Sequence, residues 1–143
     1  MEIRDMETTL KCHKIIGGYG EGEALVSHEP ICFYLTAPDT GIIREKTHEL
    51  AGKNVAGKVP VFPSGKASSV AQIDGLYKLV SNNLAPKAMI VKDVDTVLVA
   101  TAFIGRVRLV DRLEKDPLAA IYTGDYVRVS ADKGMVTIIR HRT

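Results

Sequence analysis

Apolar positions along this chain recur with two different periods. Short runs rich in β-branched and aromatic residues come first: TLKCHKII (9–16), EALVSHEPICFYL (23–35), VPVF (59–62) and AMIV (88–91). Bounded by glycine, proline and polar clusters, such runs read as strands, with Pro30 marking a bend or an edge position. Between 69 and 82 the period changes. Ile73, Leu76, Tyr77 and Val80 fall at i, i+3, i+4 and i+7, one stripe of a helix that Asn82-Asn83 can stop. TVLVATAFIG (96–105) is apolar enough to be buried, and periodicity does not decide between helix and strand there. YVRVS, ADKG and MVTII read as a hairpin, because Val127 and Val129 alternate with Arg128 while Asp132 and Gly134 supply turn chemistry. Asp39-Thr40-Gly41 is a further turn leading into Ile42-Ile43. Six to eight short strands, one clear helix and one or two more describe a mostly β, α+β fold with helices packed on sheets.

Length and charge narrow what this fold can be for. At 143 residues, with no internal repeat and no linker, residues 1–143 form one domain with a core of its own. Lys plus Arg number 19 against 17 Asp plus Glu, spread along the chain, and the five Tyr and three Phe are not interleaved with basic residues. That pattern argues against nucleic acid or an anionic membrane as a partner. Cys12 and Cys32 have no C-x-x-C and no His at ligand spacing, so they do not hold a metal by themselves. The start, MEIRDMETTL, lacks an apolar segment, and no run reaches bilayer length, which gives the expectation of a soluble cytoplasmic protein.

Candidate chemistry begins with exclusions. GGYGEGEALV (17–26) has four glycines but carries Glu21 and Glu23 and runs into a strand, so a bulge or a close backbone approach explains it better than a phosphate cradle. His13, His28, His48 and His141 show no i, i+4 pairing; His48 stands out only because its polar segment precedes the loop PSGKASSV (63–70). That loop has two adjacent serines. Ser69-Val70-Ala71-Gln72 fits an S-x-x-Q capping box, in which the Ser69 hydroxyl accepts from the Gln72 N–H and the Gln72 side chain returns to Ser69. Ser69 therefore has a structural task, and the Ser68 hydroxyl is left free for another.

The run GEALVS, the DTGII turn, HEL followed by G-x-x-V-x-G-K-V, the loop VFPSGKASS, AP-x-A-x-I and the closing TGDYVRVSADKG occur here in that order. Together, from about residue 14 to 139, they resemble the aconitase X swivel-domain family. The resemblance implies a swivelling β/β/α domain like the mobile domain of aconitase, made as a separate small subunit. It further implies a hydro-lyase that dehydrates a small hydroxy acid, with 3-hydroxyproline and 5-phosphomevalonate as the substrate types. An iron-sulfur cluster would be bound by the large subunit and none held by this chain. Carried onto this sequence, the family's catalytic serine is Ser68, with Lys66 and Ser69 placed to bind substrate. The loop 63–68 and the 36–48 segment would lie along one edge facing the large subunit.

Physical chemistry says what such a loop must supply. A serine alkoxide strong enough to take a proton beside a carboxylate is scarce at neutral pH, and a helix macrodipole contributes only about 0.3–1 kcal/mol, or ~2 when partly buried. That is about one pKa unit, so further positive charge is needed, and Lys66 is the local candidate. Where aconitase has an arginine after its serines, this chain has Val70, so a carboxylate-clamping arginine would come from the partner. A second reading, a non-catalytic swivel module that binds a partner or ligand, is kept open by Ala67, which stands where loops of the family carry glycine.

Overall fold

The computed structural model describes residues 5–65 and 69–141, with the Ser69 side chain outside the description. Its elements are, in chain order, β1 (Met6–Lys11), β2 (His13–Ile16), β3 (Tyr19–Val26), a 3-10 turn (Phe33–Leu35), β4 (Val59–Phe62), α1 (Ser69–Ser81), β5 (Met89–Val91), α2 (Thr96–Gly105), β6 (Leu109–Asp111), α3 (Pro117–Ala120), β7 (Tyr126–Ser130), a 3-10 turn (Ala131–Lys133) and β8 (Met135–Arg140). The strands are ordered β1-β8-β7-β3-β4-β5-β6-β2. Pairing is parallel across β3, β4, β5 and β6, and antiparallel across β1, β8, β7 and β3 and between β2 and β6.

Alternation along the parallel strands builds two cores. Leu25, Phe62, Met89, Val91 and Leu109 point to one face and pack with Leu76 and Leu79 of α1 and Leu98 and Ala102 of α2. Ala24, Val26, Val59, Val61, Ile90 and Val110 point to the other and pack with Val127, Val129, Val136 and Ile138 of the antiparallel strands. A parallel sheet covered on both faces needs runs that are apolar throughout, which VPVF and MIV provide. The result is three layers, β/β/α, as the mostly β reading with helices on the sheets expected. Each large side chain fully buried here is worth about 1.5–3 kcal/mol.

Several expected boundaries move. The run 9–16 is two strands, broken at Cys12, whose N–H donates to Gly134 O; β1 goes to β8 and β2 to β6. The run 23–35 ends as a strand at Val26, because Ser27 folds back through its hydroxyl onto Glu29 and Pro30 follows. TVLVATAFIG is helical, started by Asp95, whose carboxylate accepts from Leu98 N–H at 2.8 Å. The strand β6 was not foreseen, since three residues carry too little pattern. The glycine-rich stretch is a close approach, as expected: a Cβ on Gly20 would stand 2.1 Å from Lys87 O, and one on Gly22 2.6 Å from Gly57 O. No helix among the described residues is long and apolar enough to cross a membrane.

Candidate functional site

The loop after β4 leaves the parallel sheet at its carboxyl edge, between the ends of β3 and β5. Crevices at that edge are where open α/β sheets place ligands. Each neighbour holds the first loop residues in line. Ser27 N–H donates to Val61 O at 2.8 Å, and Ile31 and Gly65 form a parallel bridge. On the other side Lys92 N–H donates to Phe62 O at 3.2 Å and Asp93 N–H to Pro63 O at 3.0 Å. Residues 63–65 thus continue β4 as an extension gripped from both flanks, and α1 starts four residues later at Ser69.

Gln72 locks this frame from beneath. Fully buried, it accepts from Phe33 N–H at 2.7 Å and donates to Ile31 O at 3.1 Å. The same Nε2 lies 3.0 Å from where a Cβ on Gly65 would stand, and Asp95 Oδ2 lies 3.6 Å from that point. A side chain at Gly65 would therefore press on the Gln72 amide and disturb its two hydrogen bonds. The expected capping box is corrected in this half: the Gln72 side chain crosses to the 31–33 segment, since two buried backbone groups there have to be satisfied.

His48 and Glu49 fix the second flank. His48 is buried; its Nδ1 accepts from Leu50 N–H at 3.0 Å, which leaves the proton on Nε2, 2.9 Å from Pro30 O. A ring with both nitrogens engaged by backbone is a strut and not a ligand. Glu49 accepts from His28 N–H, from the Ser27 hydroxyl at 3.2 Å and faces His28 Nδ1 at 3.5 Å. Burial pushes its carboxyl up, but these donors outweigh burial and hold it below the usual carboxylate value. The Glu49 N–H in turn donates to Glu29 at 2.6 Å.

Of the expected site residues, Lys66 and Ser68 lie outside the described residues, and so does the side chain of Ser69, which opens α1. What is described is their frame: residues 63–65 on one side, the first turn of α1 on the other. Ser27, His48, Glu49, Gln72 and Asp95 belong to that frame and were not singled out as site residues from sequence, apart from the brief note on His48. The one available signal for Gln72 was its spacing, i, i+4 and i+7 with Leu76 and Leu79, which sets a polar residue on an apolar line of the helix.

The iron-sulfur cluster implied by the resemblance does not fit the thiols of this chain. Cys12 sits in the break between β1 and β2, where burial and the nearby Asp111 push its thiol up to about 11, against thiolate formation. Cys32 is buried at the start of the 3-10 turn against α1. The two thiols serve different elements, and among the described residues no three His, Cys, Asp or Glu side chains form a metal-binding group.

A strand-end loop framed in this way, in a β/β/α domain, has counterparts among known proteins. Residues 9–138 match the family model described as the aconitase X swivel domain. The chain belongs to that family. Among aconitase X relatives, the phosphomevalonate dehydratase small subunit of Methanosarcina acetivorans is 41% identical over 92% of this chain and 91% of its own. The protein of the same name from Thermococcus kodakarensis is 40% identical over 91% of this chain and 96% of its own. The crystal structure of Thermococcus kodakaraensis aconitase X in its holo form superposes with a TM-score of 0.83 at 40% identity, covering 92% of this chain and 98% of that one. The swivel-domain resemblance and the β/β/α fold expected from the sequence both hold.

Proposed function

We propose that this chain is the small subunit of an aconitase-X-type dehydratase acting on 5-phosphomevalonate, active when joined to a large subunit that holds the iron-sulfur cluster. The observation that carries the reading is the end-to-end match, at 40–41% identity, to small subunits named for phosphomevalonate dehydration. The loop frame supports it, because residues 63–65 and the start of α1, the described neighbours of the segment that carries Lys66 and Ser68, lie at the carboxyl edge of the parallel sheet.

In this reading Ser68, as alkoxide, takes the proton from the carbon beside the substrate carboxylate. The hydroxyl on the next carbon leaves, a C=C bond forms between the two, and proton and hydroxyl together account for the water lost. Ser68 directly precedes α1, so the helix dipole favours its anionic form, and Lys66 adds the positive charge that the dipole alone does not supply. Lys66 and Ser69 contact the substrate's anionic groups. The loop 63–68 and the 36–48 segment face the large subunit across the cleft, and the enzyme is cytoplasmic.

The test is co-expression with the large subunit, followed by NMR detection of dehydration of 5-phosphomevalonate, with 3-hydroxyproline as the second arm. Turnover of 5-phosphomevalonate alone is expected. Consumption of 3-hydroxyproline alone would overturn the substrate assignment. A stable, cluster-bearing complex idle on both compounds would leave the swivel module as a binding element.

A further inference from the structure

At the end of the domain opposite the loop, α2 stops against a groove of about 520 Å³ lined by Ile16, Gly17, Phe103, Ile104, Arg106 and Arg108. The surrounding chemistry is unusual for solvent. No side chain of α2 is charged, and Phe103 and Ile104 are 71% and 51% exposed. Helices that are apolar all round are ordinarily covered. Beside them stand two guanidinium groups with no ion pair among the described residues. The neighbouring carboxylate, Asp132 beside Gly17, faces Lys14 at 3.7 Å.

Both arginines are held in place by local backbone. A Cβ on Gly105 would stand 3.2 Å from Leu76, where α1 and α2 meet, and the left-handed cap falls on the next residue, Arg106, with φ 56°. Glycine is the usual occupant of such a position, and an arginine there is retained at a conformational cost. Arg108 lies across the Gly18 backbone, its Nε 2.9 Å from where a Cβ would stand.

We propose that this groove is the anchor by which the chain is held to its large subunit, taking a segment of that subunit with carboxylates beside apolar side chains. The proposal rests on the small-subunit reading above. Its logic is geometric. A swivel domain made as a separate chain has no covalent hinge, and its loop edge has to open and close on substrate. The lasting contact therefore belongs away from that edge, and the ten residues of α2 put about 15 Å between the two. Charge selects the occupant. A second copy of this chain placed two-fold on the groove would set arginine against arginine, whereas an acidic segment pairs both and covers Phe103 and Ile104.

The test measures assembly of wild-type and variant chains with the large subunit by calorimetry at two salt concentrations, and kcat at saturating small subunit. Arg106→Glu/Arg108→Glu should weaken assembly by tenfold or more, Phe103→Ser by several-fold, and both should leave kcat within twofold. Arg106→Gly separates recognition from folding: relief of the positive φ should raise the Tm of the isolated chain by about 3 °C while assembly weakens. Assembly of the double reversal within twofold of wild type would overturn the anchor, as would a wild-type chain that is a dimer dissolved by Phe103→Ser. Failure of the wild-type chain to bind the large subunit at all would instead overturn the small-subunit reading.

Discussion

In the proposed reading the neighbours Ser68 and Ser69 have different tasks, and two alanine substitutions tell them apart. Ser69→Ala removes the cap that the sequence assigns to Ser69 and a proposed substrate contact, so it is expected to lower stability by about 1 kcal/mol and to raise KM several-fold while kcat is largely kept. Ser68→Ala is expected to leave thermal melts unchanged and cut turnover by about 10²–10⁴. Initial rates with large subunit in excess decide, and an active Ser68→Ala would remove the base assignment. Glu49 gives a pH signature at the same scale. Its carboxyl is held below the ordinary value of 4.5 in the folded chain, so its contribution is present above that value and is lost as pH falls through the lower folded value. Urea midpoints between pH 6 and pH 3 should show this loss, and Glu49→Gln should flatten that part of the profile.

At the scale of elements, α1 is both a wall of the core and the platform of the loop. Gln72→Leu leaves the Phe33 N–H and the Ile31 carbonyl buried without partners, and each such group costs about 1–3 kcal/mol. Loss of at least about 2 kcal/mol in urea unfolding is expected, together with faster hydrogen exchange at residues 31–33. This element also shows where sequence reading ran out. The stripe of Ile73, Leu76, Tyr77 and Val80 announced the helix, but Gln72 belongs to a tertiary contact 39 residues away and its spacing from Ser69 mimicked a capping box. For α2, Asp95 was the legible start signal, masked by a segment whose apolar residues point everywhere. The break at Cys12 was illegible for another reason: a strand partner over a hundred residues distant decides where β1 stops. The loop itself was legible because small residues, one lysine and three serines, two of them adjacent, are grouped in eight consecutive positions.

The whole molecule is an assembly of two cores on one shared sheet, and in the proposed reading a large subunit completes the site. With thiols unsuited to a cluster, the isolated chain is expected to be colourless and inactive; stoichiometric iron-sulfur absorbance in the purified single chain would reverse that placement. The pairing of β1 with β8, Met6 opposite Arg140 and Lys11 opposite Met135, has a consequence in time. During synthesis the first strand emerges long before β8, its one ladder partner among the described residues, so the antiparallel layer stays open until the last strand has cleared the ribosome. Loop closure over so long a span is slow, and topologies of this kind fold in about milliseconds to seconds. Released chains truncated before residue 135 should accordingly be cut by protease within β1 and β7, whereas the chain through residue 143 resists.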